Sequence, residues 1–187
     1  NLPEPARRMG LAMDGNKAYF FGGSTGMSTG SLGTRYFNGS NKFFVYDLEV
    51  GHLEMLPDLP KAMETDGGIV DGNLYVFGGF DGAPLSGIWK YNIEQRLWQE
   101  LAPFARSVSS YALTQYKHYF ILVGDFYNGN QLIVYDTQME SAEYFKMNFS
   151  GSQMGASVVG DHLYVYGGKV PPPNPLIRSD LYRISLS

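Results

Sequence analysis

Short runs of apolar residues recur along the chain, each bounded by glycine or by a polar turn. Four of them, at residues 18–21, 74–77, 121–123 and 163–166, lead directly into a glycine pair or its degraded form, Gly124-Asp125. Short apolar runs that are rich in aromatic and β-branched residues and bounded by glycine indicate buried β-strands. The first glycines stand at positions 22, 78, 124 and 167. This period of 43 to 56 residues predicts a repeat architecture.

Other strand signals keep step with these glycines. A turn precedes each run, at residues 14–16, 71–73, 116–117 and 160–161, and before it lies a strand of small residues, at 10–12, 67–69, 110–112 and 155–157. After each glycine site comes a variable loop and then a third strand, at 43–47, 88–92, 132–136 and 181–185. A fourth strand opens at Leu53, Trp98 and Ala142. The unit is therefore predicted to be four antiparallel strands, A to D, and no segment shows helical periodicity.

A four-stranded unit of this size needs neighbours to bury its sheet faces, which indicates radial stacking into a β-propeller. The predicted fold class is therefore all-β, with about four blades in a single domain, 1–187. The blades are predicted at about 8–57, 65–102, 108–148 and 153–187. The fourth unit stops at strand C. Residues 1–6 resemble the tail of a strand D, so we expect them to be the segment that can complete the last blade.

Three features in register resemble the kelch repeat: a diglycine ending strand B, a Tyr-Asp ending strand C, and an aromatic residue opening strand D. They are carried by the glycine pairs, by Tyr46-Asp47 and Tyr135-Asp136, and by Trp98. The resemblance covers nearly the whole chain and implies a kelch-type β-propeller. The third unit departs at Asp125, and the fourth lacks both the Tyr-Asp and a strand D.

Kelch rings usually hold six or seven blades, so the chain is short for one. Three alternatives remain open: a closed four-blade ring, part of a larger ring in a longer parent chain, and half of an eight-blade homodimer.

Composition narrows the function classes. Charged residues make up 17% of the chain and the net charge is −4, which argues against a nucleic-acid partner. Cysteine is absent, so disulfides and thiolate zinc sites are excluded. No apolar run approaches the roughly 20 residues of a membrane-spanning helix, so we expect no membrane insertion. The compartment stays open.

The long loops are the predicted binding surface. In a four-strand meander the B–C and D–A connections share one end, and here the B–C segments are long, at 24–41, 80–87, 126–130 and 169–179. Loops on a rigid scaffold concentrate binding residues, and arginine with aromatic residues suits a protein or a carbohydrate partner. The candidate binding residues on these connections are Arg7, Arg8, Arg35, Tyr36, Phe37, Asp81, Arg106, Tyr127, Asn128 and Arg178. The proline-rich segment 171–175 is expected to stiffen the last of these loops.

A binding or scaffold module is favoured over an enzyme. Galactose oxidase resembles this fold but relies on a Tyr–Cys crosslink and histidine copper ligands, whereas this chain has no cysteine. Its three histidines, His52, His118 and His162, are expected at the short turns of the other end. We therefore expect no metal, no cofactor and no catalytic residue.

The alternative is a small-sugar enzyme similar to the kelch-type sialic-acid epimerases. Its acid–base residue would come from Glu4, Glu64, Asp66 and Asp81, which are expected near the loop end.

Overall fold

The computed structural model describes residues 2–30, 33, 35–170 and 176–186, and the side chain of Arg35 lies outside that description. The described residues contain no helix. They form four antiparallel sheets of the blade type, which confirms the predicted all-β propeller class. The chain divides into two compact units, Asn1–Ser107 and Val108–Ser187, and each unit contains two of the sheets.

The described residues of unit 1 form ten strands. They are β1 (Gly10–Asp14), β2 (Lys17–Phe21), β3 (Ser24–Thr29), β4 (Arg35–Gly39), β5 (Phe43–Asp47), β6 (His52–Met55), β7 (Glu64–Val70), β8 (Asn73–Phe80), β9 (Pro84–Asn92) and β10 (Leu97–Leu101). The first sheet has the order β1-β2-β5-β6, the second the order β7-β8-β9-β10, and β3 pairs with β4 in a separate hairpin. The two four-stranded sheets are meanders in the A-to-D order that the sequence predicts.

Aromatic rings fill the space between the two sheets of unit 1. Phe43 lies 4.9 Å from Tyr91 in an edge-to-face contact and 6.4 Å from Phe21, and all three side chains are fully buried. Strand A has small residues because the aromatic rings leave no room for larger side chains there. A Cβ at Gly10 would lie 2.0 Å from the Phe21 ring. Glycine at this position of strand A therefore leaves the space that the aromatic ring of strand B occupies.

Seven strands occur in the part of unit 2 that the structure describes. They are β11 (Ala112–Tyr116), β12 (Tyr119–Val123), β13 (Gln131–Asp136), β14 (Ser141–Lys146), β15 (Gly155–Val159), β16 (His162–Tyr166) and β17 (Leu181–Ser185). The third sheet has the order β11-β12-β13-β14, and the fourth has three described strands, β15-β16-β17. Its core packs Ile121 and Val123 with Leu163 and Val165. Phe149 stacks on Tyr182 at 3.8 Å with the ring planes 4° apart.

The first B–C segment was wrongly predicted as an open loop. Residues 24–41 contain the hairpin β3–β4, whose strands pair from Ser24↔Gly39 to Thr29↔Arg35. Its composition of serine, threonine and glycine gives little strand signal, because these residues are common in turns. The second B–C segment, 80–87, is also shorter than predicted, since β8 and β9 pair as far as Phe80↔Pro84.

Smaller corrections concern the third sheet and the termini. The A–B turn of the third sheet lies at Lys117-His118, one residue later than predicted, and β11 begins at Ala112 rather than at residue 110. Segment 171–175 lies outside the described residues. The single-domain boundaries, the completion of the last blade by residues 1–6, and the three alternatives for ring size and homodimer stay predictions.

Candidate functional site

The segment before β1 and the first B–C segment meet in unit 1. Arg7 precedes β1 and Ser24 opens β3, and their backbones form an antiparallel bridge with two N–H···O bonds of 2.9 Å. The bridge holds the base of the β3–β4 hairpin against the entry to the first sheet. Two segments that are 17 residues apart in sequence therefore contribute to one surface.

A buried carboxylate organises the charges at this base. Glu64, the first residue of β7, keeps only 10% of its side chain exposed. Its carboxylate accepts a 2.6 Å hydrogen bond from the Ser24 hydroxyl and a 3.0 Å bond from Arg8 Nη1, and Arg7 Nε lies 3.9 Å away. A buried carboxylate needs such partners, because an unpaired charge loses its hydration without compensation. Glu64 thus ties the second sheet to Arg7, Arg8 and the hairpin.

Both arginines remain open to solvent while they make these contacts. The side chains of Arg7 and Arg8 are 60% and 58% exposed. Arg8 adopts a positive φ of 52°, and the same conformation recurs at Ser110 and Gln153, each two residues before a strand A. It is therefore a repeated feature of the segment that precedes strand A. Two cations face a single carboxylate here, so the base of the hairpin carries a net positive charge.

An aromatic contact anchors the hairpin to the second sheet. Phe37 on β4 meets Phe80 at the end of β8 with ring centroids 5.3 Å apart and planes at 87°. Phe80 is also the backbone partner of Glu64. Neighbouring side chains on a strand point to opposite faces, so Tyr36 points away from this anchor and is 56% exposed. Met27 on β3 is also exposed.

Asp81 follows Phe80 and is paired. Its carboxylate lies 2.8 Å from Lys61 Nζ, and its backbone N–H donates to the Ala83 carbonyl at 3.2 Å. Asp81 therefore shapes the tight β8–β9 loop beside Phe80 and brings a neutral ion pair to the surface. We name as the hairpin surface the set that these contacts connect: Arg7, Arg8, Met27, Tyr36, Phe37, Lys61, Glu64, Phe80 and Asp81.

Asp66, two residues along β7 from Glu64, is the most perturbed acid in the described chain. Burial raises its pKa to about 6, against a smaller lowering from the Gly67 N–H that donates to its carboxylate at 2.8 Å. Asp66 pairs with Phe77, just before the glycine pair. The other three sheets place Gly10, Ala112 and Gly155 at that register. A carboxyl group at a position otherwise kept small is specific to the second sheet.

In unit 2 the candidates Tyr127 and Asn128 are positioned by a buried aspartate. Asp125 is completely buried, and one of its oxygens accepts the Ser109 N–H at 2.8 Å. Its other oxygen accepts the N–H groups of Tyr127 and Asn128 at 3.1 and 3.0 Å. This Asx-type turn fixes the B–C loop, and Tyr127 stands 71% exposed at its tip.

The remaining candidates are not members of the hairpin surface. Arg178 donates from Nη1 to Asp180 at 2.8 Å and to the Tyr182 hydroxyl at 2.9 Å, so it braces its own strand entry. Arg106 is exposed at the end of unit 1. Glu4 accepts a hydrogen bond from the Ser40 hydroxyl. Arg35 lies on β4, and its side chain is outside the description.

Sequence reasoning missed Ser24 and the part that Asp125 plays. Ser24 follows a glycine pair and resembles any polar loop residue. In the repeat pattern Asp125 is only a departure from the second glycine, although an aspartate two or three residues before the N–H groups of a turn is an Asx-turn signal. No group of three or more metal-ligating side chains occurs among the described residues. In the same residues, no helix has the length and apolarity to cross a membrane.

Comparison with known proteins locates one repeat. The family model described as Kelch motif matches residues 67–105, which comprise most of the second sheet from β7 to β10 and the connection that follows. This match is consistent with a kelch-repeat family and agrees with the resemblance carried by the glycine pairs. No curated protein sequence matches the chain.

Proposed function

We propose that this chain, with a kelch motif in its second sheet, recognises a protein partner through the hairpin surface of unit 1. A kelch motif in a propeller-type fold indicates a protein-binding or scaffold module in general. The observation that carries the assignment to this surface is the β3–β4 hairpin, in which Phe37 is anchored on Phe80 while Tyr36 stands exposed on the opposite face. Rigid strands that support an exposed aromatic residue are typical of recognition surfaces.

The residue types of the hairpin surface suit an interface. Tyrosine and arginine are enriched where proteins meet, because each buries a large area while its polar end finds a partner. Tyr36 supplies the exposed aromatic part, Met27 adds apolar surface on the face of Phe37, and Arg7 and Arg8 lie at the base of the same hairpin. Glu64 already orients Arg8, so binding a partner costs less side-chain conformational entropy at this residue.

The charge balance indicates what the partner contributes. Three cations, Arg7, Arg8 and Lys61, face two carboxylates, Glu64 and Asp81, so the surface has one positive charge in excess. An approaching carboxylate or a hydrogen-bond acceptor is favoured over a cation. A carbohydrate with an acidic group meets the same requirement, and the experiment distinguishes it from a protein.

The experiment compares variants of the whole chain rather than a single capture. Immobilised wild type, Tyr36→Ser and Arg8→Ala are exposed to the same cell extract, and bound proteins are quantified by mass spectrometry. We expect a set of proteins that wild type retains and both variants lose by tenfold or more. An acidic-oligosaccharide array, probed with the same three proteins, tests the carbohydrate alternative.

Matched controls are taken from unit 2, which contributes no residue to the hairpin surface. Met139→Ser removes an apolar side chain that is 74% exposed at a C–D turn of unit 2, and Arg183→Ala removes an exposed arginine from β17. Both controls should retain what the wild type retains. Equal binding by all five proteins would contradict the assignment to the hairpin surface, and loss with the controls as well would indicate non-specific adhesion.

One observation favours a second function, acid–base chemistry on a small sugar. Asp66 has its pKa raised to about 6 by burial, and a general base works best with a pKa near the working pH. Incubation with N-acetylated sugars in D₂O, followed by NMR, would show deuterium entering a carbon-bound position if this function holds. Asp66→Asn should abolish the exchange, and an unlabelled sugar with wild type would remove the enzyme alternative.

A further inference from the structure

The fourth sheet has an open edge along its third strand, β17. In the other three sheets the third strand pairs with a strand D, whereas β17 pairs only with β16 among the residues that the structure describes. The Asp180 carbonyl and the Leu186 N–H, on either side of β17, bond to residues that flank β16. Backbone groups of successive strand residues point to opposite edges, so those of Leu181 and Arg183 point away from β16. At these two residues the outer edge of β17 can therefore accept a further strand.

A half-exposed aromatic ring lies beside this edge. Phe145 on β14 is on the face that the third sheet packs against the fourth, yet it is 49% exposed. Leu56 has the corresponding place in unit 1, next to Phe43, and is 8% exposed. There the Trp98 ring of β10 lies 5.5 Å from the Phe43 ring, and its indole N–H donates to the Pro57 carbonyl at 3.0 Å. The fourth sheet has no described strand D that could cover Phe145 in the same way.

The strands D of the other sheets define what fits this edge. Arg183 stands two residues before the end of the third strand, and the residues at that place in the first, second and third sheets pair with Glu54, Gln99 and Glu143. The residue before this acid or amide is apolar in each strand D, and so is the residue two places after it. These apolar pairs are Leu53 and Leu56, Trp98 and Leu101, and Ala142 and Phe145.

We propose that the outer edge of β17 is a docking site for an extended segment of a partner protein with the pattern apolar–glutamate–any residue–apolar. The segment pairs antiparallel with β17, and its glutamate lies opposite Arg183, an exposed cation. Its first apolar side chain lies opposite Ile184, on the face where Phe145 is exposed. Its second lies opposite Leu181, which is 67% exposed. Backbone hydrogen bonds supply the affinity and these three side chains the specificity.

Two other occupants fit this edge less well. Antiparallel pairing of β17 with the same strand of a second copy brings the two Arg183 side chains to opposite or diagonal positions on one face, where like charges repel. Residues 1–6 resemble only the tail that follows a strand D, with Leu2-Pro3 in place of Leu56-Pro57, and they lack the apolar–glutamate part. The site belongs to unit 2 and does not depend on the function proposed for the hairpin surface.

The test uses a fluorescein-labelled peptide that copies residues 51–58, in which Leu53, Glu54 and Leu56 supply the required pattern. The full chain is titrated into the peptide, and binding is followed by fluorescence polarisation. The matched control peptide has Leu53 and Glu54 exchanged, which keeps the composition but turns the glutamate toward the core face. We expect saturable binding of the first peptide and binding weaker by about tenfold or more for the second. Equal binding of the two, or no saturation by the first, would overturn the proposal.

Two variants of β17 test whether the peptide pairs with its backbone. Leu181→Pro and Leu181→Ala both remove the leucine side chain, but only proline also removes the outward N–H. Proline is tolerated at the first residue of a strand, and a thermal melt of each variant verifies the fold. We expect Leu181→Pro to bind the peptide about tenfold more weakly than Leu181→Ala does. Equal affinities of the two variants would contradict strand pairing.

A charge exchange fixes the register without a change of backbone. The peptide with Glu54→Lys should bind the wild-type chain about threefold more weakly, and Arg183→Glu in the chain should restore its affinity. Without that restoration, the assignment of glutamate to Arg183 would be wrong. Analytical ultracentrifugation of the chain alone tests the second copy as occupant. A dimer that Leu181→Pro converts to monomers would assign the edge to a second copy and overturn the proposal.

Discussion

The second and third sheets end strand B in two different ways. In the second sheet, Gly78 and Gly79 both have positive φ, and a Cβ on Gly79 would lie 2.2 Å from the Glu64 carbonyl oxygen. In the third sheet, Gly124 keeps the positive φ, but Asp125 takes the second place without one. Its carboxylate then accepts three backbone N–H groups, from Ser109, Tyr127 and Asn128.

The difference shows which part of the glycine pair the fold needs everywhere. A left-handed first residue occurs in all four sheets, at Gly22, Gly78, Gly124 and Gly167. The second position is filled in two ways. A glycine there allows close backbone contact, whereas an aspartate there accepts hydrogen bonds from backbone N–H groups. In the second sheet, where the kelch motif matches, the loop is a tight hairpin. In the third, the aspartate orders a loop that has no strand pairing.

Gly79→Ala tests the glycine pair of the second sheet and should have the largest effect on stability. The Cβ would collide with the Glu64 carbonyl at a φ of +113°, so we expect a loss of about 4 kcal/mol in unfolding free energy. Chemical denaturation measures it. Gly15→Ala is the control, because Gly15 also has a positive φ, +54°, but open space around its Cβ, and it should cost only about 1 kcal/mol. Similar losses for the two would mean that close approach is not the constraint.

Asp66 extends the comparison to strand A, where the third sheet has Ala112 at the same register. Its folded-state pKa of about 6 is above the ordinary value of 3.8, so the folded state holds this proton more tightly than the unfolded chain. Stability should therefore fall as pH rises from about 4 to above 6, by roughly 2–3 kcal/mol from this group. Asp66→Asn should remove that fall and be more stable than wild type at pH 7.5. Parallel stability–pH curves for the two proteins would contradict this prediction.

Asp125→Ala tests the solution found in the third sheet. Three backbone donors lose their acceptor, one of them on buried Ser109, so we expect a loss of about 2 kcal/mol. Asp125→Asn keeps one acceptor oxygen and should lose about half as much. Asp125→Gly restores the glycine pair but not the hydrogen bonds. If it were as stable as wild type in denaturant titration, the aspartate would be only a tolerated substitution.

The smallest expected effect concerns the position after strand C. Thr137 in the third sheet donates its hydroxyl to the His118 carbonyl at 2.8 Å, whereas the second sheet has Ile93 at that place. Thr137→Val should cost about 1 kcal/mol, since the carbonyl keeps only the longer 3.3 Å bond from the Thr137 N–H. Ile93→Val, which removes a methylene and no hydrogen bond, is the control. If the melting temperature falls no further for Thr137→Val than for the control, the hydroxyl hydrogen bond does not contribute to stability as predicted.

Much of the fold was predictable because its signals are local. Apolar alternation and glycine pairs placed strands such as β5 and β17 at their observed bounds. The hairpin β3–β4 was not predictable, because its strands are held by a bridge to Arg7 and by the Phe37 contact with Phe80. The candidate residues Arg8 and Phe37 were identifiable by type. That Glu64 joins Arg8 to Ser24 was not, since the three residues come from separate segments.

The strand repeat, most of the turn positions and the absence of disulfide and thiolate chemistry follow from the sequence alone. Each depends on a residue's own conformational range or composition, so neighbours in space are not needed to infer it. Which charges pair and how deeply Asp66 is buried become known only from the packed structure. Those properties depend on the groups that another sheet brings within a few ångströms, and the dielectric environment they create exists only after packing.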